Sequence, residues 1–60
     1  MRVDTVDYEL SYGREPRGVG FWFFRIGDER YDSYGSFRRV LDDAKRLAVA
    51  RGLDVVEVLP

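Results

Sequence analysis

The chemistry open to this chain is limited first by what it lacks: its 60 residues contain no His and no Cys. Disulfides, zinc and most transition-metal sites are therefore excluded. A nucleophile and base would have to be drawn from Ser, Lys, Tyr or a carboxylate. Lys45 lies among Asp42 and Asp43, where a solvated ion pair is expected rather than a depressed pKa. Asp28 and Glu29 fall in a hairpin turn, a poor place for a desolvated general acid. No catalytic residue, cofactor, metal or small-molecule substrate is indicated, and a non-enzymatic protein is expected.

The residues that remain suited to recognition are aromatic rings and guanidinium groups. The stretch Arg17-Gly18-Val19-Gly20-Phe21-Trp22-Phe23-Phe24-Arg25-Ile26 holds the single Trp and three of the four Phe. One buried face would need an apolar residue only at every second position, yet here both alternating sets are apolar. Trp22, Phe24 and Ile26 form one side, and Phe21 and Phe23 the other. Formal net charge is −1, which disfavours a generic nucleic-acid binder. Residues 14–39 are nonetheless net +2, while residues 1–13 are −2 and residues 40–60 are −1, so the basic excess surrounds the aromatic stretch.

These side chains are positioned by a small set of elements. Val6, Tyr8, Leu10 and Tyr12 alternate with Asp7, Glu9 and Ser11, which predicts a half-buried strand with its carboxylates in water. A Gly- and Pro-punctuated loop follows over residues 13–18, with Arg14 and Arg17 as candidate loop contacts. The aromatic strand spans about Val19 to Ile26. Gly27-Asp28 is a two-residue hairpin signal, since Gly supplies the positive φ of a primed turn. That turn fixes a register: Ile26 opposite Glu29, Arg25 opposite Arg30, Phe24 opposite Tyr31, Phe23 opposite Asp32 and Trp22 opposite Ser33. Trp22, Phe24, Ile26 and Tyr31 are thereby assigned to the core. Phe21, Phe23, Arg25, Arg30 and Tyr34 share the other face and are the candidate partner-binding residues.

Gly35-Ser36 offers a helix start, and Phe37, Val40, Leu41, Ala44, Leu47 and Ala48 make one stripe at helical spacing. Gly52 stands where a left-handed residue ends a helix. Asp42 and Asp43 precede Arg46 at ion-pair spacing. Val55, Val56, Val58 and Leu59 form a last strand before Pro60, able to pair parallel to a neighbour because a helical crossover precedes it. If Val56 and Val58 face the core, Val55, Glu57 and Leu59 join the uncovered face. The expected fold is α+β: a small antiparallel-rich sheet in the order β-β-β-α-β, third strand short, with one helix on one face, as one domain over residues 1–60. No run is long enough to span a bilayer, and Met1-Arg2-Val3-Asp4 has no signal-peptide apolar region. A cytoplasmic or phage-borne protein is expected.

The octamer Arg17 to Phe24 resembles the RNP1 segment of RNA-recognition motifs. The resemblance implies that Arg17 and Phe21 face RNA, that Gly18 and Gly20 match the family's glycines, and that Phe24 points inward. Val19 departs at the first stacking position and Trp22 is bulkier than the usual aliphatic. No counterpart of that family's first strand and helix is expected in a chain this short. Independently of the name, Phe21, Phe23 and Tyr34 beside Arg25 and Arg30 would offer stacking surface next to phosphate-pairing charge. The alternative, favoured here, is that Asp7 and Glu9 lie on the same face and neutralise those Arg.

Two further features compete for a role. Ser36, Arg38 and Arg39 at the helix start form a candidate anion site, because cations there oppose the macrodipole and N–H groups are free. The competing and favoured reading is that each Arg reaches Asp42 or Asp43 one turn on. An uncovered apolar sheet face on so small a domain also suits self-association. Contact with a protein partner or a second copy is therefore the leading expectation, with single-stranded nucleic-acid binding through the same face as the alternative.

Overall fold

The computed structural model describes residues 1–60 and contains four strands and two helices. In chain order these are β1 (Arg2–Asp4), α1 (Val6–Tyr12), β2 (Val19–Ile26), β3 (Glu29–Ser36), α2 (Phe37–Ala50) and β4 (Val55–Val58). They form an α+β fold with one mixed sheet in the order β1-β4-β2-β3. β4 pairs parallel to β1 and antiparallel to β2, and β2 pairs antiparallel to β3. No helix is long and apolar enough to cross a membrane.

The β2–β3 hairpin has the register that the Gly27-Asp28 turn dictates, from Ile26 opposite Glu29 to Trp22 opposite Ser33, and it continues to Val19 opposite Ser36. Alternation then sorts β2 as expected. Trp22, Phe24 and Ile26 are buried, while Phe21, Phe23 and Arg25 are exposed. β3 is as long as β2, at eight residues, rather than short. The same turn carries pairing through Tyr34 and Gly35, positions with no apolar alternation of their own.

α2 lies on the Trp22–Phe24–Ile26 side of the sheet. Val40, Ala44 and Ala48 are buried against Phe24, Ile26, Val56 and Val58, with Phe37, Leu41, Leu47 and Leu53 packed around them. Phe37 closes edge-on against Trp22 at 4.8 Å and stacks near Phe24 at 6.1 Å. The helix starts where Ser36 Oγ accepts from the Arg39 N–H at 3.2 Å, and it ends just before Gly52, whose φ is 73.

The first expected strand is a helix. Residues Val6 to Tyr12 make α1, which ends on the left-handed Gly13, whose N–H donates to the Glu9 carbonyl at 2.7 Å. Period-two spacing is ambiguous over seven residues, because 6/10 and 8/12 are also i,i+4 pairs. On a helix the four apolar residues become two opposed stripes. The Tyr8 and Tyr12 rings meet at a tilt with centroids 4.6 Å apart, and Tyr8 packs on Trp22 at 5.7 Å. Val6 and Leu10 are left exposed, Leu10 at 80%. The strand beside β4 is instead Arg2–Asp4, whose single apolar residue gives no strand pattern. A three-residue strand and a seven-residue helix precede the Arg17–Phe24 octamer.

Candidate functional site

The sheet face away from α2 carries Phe21, Phe23, Arg25, Arg30 and Tyr34, the residues expected to contact a partner. Phe21 is 65% exposed, Tyr34 59% and Phe23 37%. The Phe21 and Tyr34 rings meet edge-on at 5.2 Å across the hairpin, a geometry the ring quadrupoles favour. Leu59, expected on this open face, is buried at 8%; its N–H donates to the Phe23 carbonyl at 2.9 Å, which extends β4 past Val58. Val55 and Glu57 on β4 are half-buried.

Pairing across the sheet puts Asp4, Glu57, Arg25 and Arg30 in one row, because partners directly opposite in a ladder share a face. The two Arg face each other as expected. Their expected neutralisation by Asp7 and Glu9 of a first strand does not occur, because those residues belong to α1. Glu9 accepts from the Thr5 hydroxyl at the start of that helix. Asp7 reaches Glu57, and Arg25 and Arg30 have no ion-pair partner within 4.0 Å.

Burial pushes the Glu57 carboxyl above its ordinary range. The hydrogen bond with Asp7 raises it further, Arg25 opposes the shift, and the charges of Asp7 and Asp4 add to it. A raised folded-state pKa means that folding favours the protonated form. Its contribution is fully present below the ordinary carboxylate range and is lost as pH rises through the folded pKa. Glu57→Gln should therefore raise the thermal midpoint at pH 7 and abolish the part of the wild-type gain that appears as pH falls toward the carboxylate range. Thermal scans by circular dichroism across that window, at concentrations keeping protomers apart, check it. An unchanged pH profile in Glu57→Gln would contradict it.

Glu29 behaves oppositely. The Arg51 side chain donates to its two carboxylate oxygens at 2.8 and 3.2 Å, holding that carboxyl below its ordinary range by hydrogen bonding and then by charge. The pair ties the hairpin turn to the end of α2, a link with no signal in the sequence because 22 residues separate the partners. Its contribution is present above the ordinary carboxylate range and is lost as pH falls from there through the lower folded pKa.

The candidate anion site is occupied by protein. Arg39 donates to Asp43 at 2.8 Å, to the Ser33 hydroxyl at 3.4 Å and to the Tyr34 carbonyl, and so clamps β3 to α2. Gly35, at φ 155, makes room for this clamp, since a Cβ there would collide with the Arg39 guanidinium. Ser36 Oγ is engaged as the helix cap. Arg38 is exposed and joins neither of them. The reading in which an Arg reaches an acid one turn on thus holds for Arg39 and Asp43. Asp43 also accepts from Arg46 at 3.0 Å, whereas Asp42 and Lys45 form no ion pair. No group of three or more acidic side chains is arranged to hold a metal ion.

The structure brings together two sets of residues that the sequence left apart. Arg14 and Arg17 of the 13–18 loop line a depression of ≈ 300 Å³ with Tyr8, Tyr12, Phe21 and Phe23. Val19, Gly20, Trp22 and Leu59 complete its wall. The loop is anchored at its far end: the Gly18 carbonyl accepts from the Trp22 indole N–H at 3.2 Å and from the Phe37 N–H at 2.8 Å. Neither Arg14 nor Arg17 is ion-paired. Within the octamer, Phe21 points outward and Phe24 inward. Tyr8 and Tyr12 were missed as neighbours of this site. The helix signals that would have placed them are the acidic first turn of Asp7 and Glu9 and the terminal Gly13.

No protein-family model, curated protein or solved structure matches this chain.

Proposed function

We propose that this chain is a non-enzymatic contact module of the cytoplasm, whose outer sheet face binds a protein partner or a second copy of itself. Phe21, Phe23 and Tyr34 supply the apolar contact, and Arg25 and Arg30 the charged margin. The observation that supports this most is the division of β2: its inward rings are filled by α2, while Phe21 and Tyr34 stand more than half exposed on the opposite face. Exposed aromatic rings beside Arg are the composition that interface centres favour. The binding needs no cofactor, metal or small-molecule substrate.

Sedimentation of the wild type and of Phe21→Ser/Phe23→Ser tests this reading. A concentration-dependent mass, or a complex with a candidate protein, should be lost in the variant while circular dichroism stays unchanged. Association that is indifferent to both rings would remove the face from consideration.

Single-stranded nucleic acid is the second reading, favoured by one observation: the unpaired Arg14 and Arg17 share a depression with Tyr12, Phe21 and Phe23. Bases would stack on the rings while the guanidinium groups pair with phosphates. A labelled oligonucleotide should then bind at low salt, lose affinity in Phe23→Ala or Arg25→Ala, and show a salt slope smaller by about one in Arg17→Ala. No binding at low salt ends this reading.

A further inference from the structure

The row across the outer face reads acid, acid, base, base: Asp4 on β1, Glu57 on β4, Arg25 on β2 and Arg30 on β3. Only the middle step, Glu57 beside Arg25, joins unlike charges. The two outer steps set like beside like, an arrangement that costs stability within one protomer. Asp7 adds a further acid at the Glu57 end. None of Asp4, Arg25 and Arg30 is ion-paired within the chain. Such a row is complementary to its own reverse.

We infer that the outer face pairs with the same face of a second copy about a two-fold axis lying in the interface close to the strand direction, with Asp4 of each copy over Arg30 of the other and Glu57 over Arg25. This rests on the contact reading above and names its partner and geometry. A two-fold along the strands reverses the row, so acids meet bases at all four positions. A two-fold running across the strands would superpose acid on acid and base on base, and is rejected by the same charges. The favoured axis also leaves strand directions nearly aligned, as face-to-face sheets pack. It sets Phe23 over the end of β4 in the second copy, where Leu59 is hydrogen-bonded opposite Phe23 in each chain. The interface is isologous and closes at two copies.

The test uses the two ends of the row, both on edge strands; Arg30 is exposed, whereas the Asp4 carboxylate also accepts from the Val6 N–H at 3.1 Å, so the fold of Asp4→Arg is verified before its association is read. Asp4→Arg and Arg30→Glu each create a like-charge contact at both ends of the dimer. Sedimentation equilibrium should find each single variant dimerising at least roughly tenfold more weakly than wild type, as like-charge juxtaposition at interfaces costs several kcal/mol. The double variant Asp4→Arg/Arg30→Glu should regain the wild-type dimer, and so should an equimolar mixture of the two singles. Circular dichroism verifies that each variant is folded, and the mixture supplies a second readout that needs no double variant. A wild type that stays monomeric to millimolar concentration overturns the inference while leaving a different protein partner for the face. Singles that dimerise like wild type, or a double and a mixture that do not recover, overturn the arrangement. If Phe21→Ser/Phe23→Ser still abolishes association in that case, the contact reading stands without it. If that variant also associates normally, both fall.

Discussion

Phe24→Ala should leave this chain unfolded at 25 °C. Phe24 is fully buried, stands opposite Val58 on β4 and lies against Phe37 of α2, so its ring joins the sheet to the helix. Truncating a buried Phe costs about 3–5 kcal/mol, the lost transfer energy plus the cavity left behind. A domain of this size with no disulfide or metal rarely holds more than about 3–5 kcal/mol in its core. The two are of equal magnitude, and the folded population collapses. Urea titration by circular dichroism checks this, and Phe21→Ala three positions earlier is the control. That ring is largely exposed, so its removal should shift stability by no more than about 0.5 kcal/mol. A cooperative Phe24→Ala transition near the wild-type midpoint would contradict the packing described.

Tyr8→Ala should release α1 and cost about 3 kcal/mol, at the low end of the range for aromatic truncation. A seven-residue helix is far below the length that is stable alone in water, so α1 depends on docking. Tyr8 is its only buried residue, and the contact is with Trp22. Loss of that ring should expose Trp22 to water, red-shift its emission and abolish amide protection across residues 9–13. Leu10→Lys should do neither, because Leu10 faces solvent. The pair of variants separates the helix from a strand at this position. A strand would bury Tyr8 and Leu10 on one face, and both substitutions would then be costly.

Release of α1 would also open the depression that Tyr8 and Tyr12 share with Arg14, Arg17, Phe21 and Phe23. Tyr8 thus supports both the fold and the lining of this depression. The order of Asp4, Glu57, Arg25 and Arg30 in the charged row follows from strand pairing, and its basic half makes no contact with α1 through an ion pair. Variants at Arg30 should therefore alter contact without altering the fold, whereas variants at Tyr8 alter both.

What the sequence by itself determined is local. The Gly27-Asp28 turn set the pairing of β2 with β3 residue by residue, because a two-residue turn leaves one register and period-two alternation then assigns every side chain to a face. That step identified Phe21, Phe23, Arg25, Arg30 and Tyr34 as one exposed set. α2 was equally legible, since its apolar stripe, the Ser36 cap and Gly52 all act within a few residues of chain. Tertiary structure decided the rest. Val6–Tyr12 satisfies both the strand and the helix period over so short a run, and neither neighbour of β4 remained free for it once β1 and β2 had paired there. Arg2–Asp4 has a single apolar residue, Val3, and becomes a strand only because the edge of β4 offers it hydrogen bonds. Leu59 is buried by residues distant in sequence. Arg39 serves as a clamp rather than an anion ligand because β3 brings Ser33 and the Tyr34 carbonyl beneath it. The charge row depends most on tertiary structure, since its four members come from four strands. Their order across the sheet follows from a strand order that no local pattern encodes.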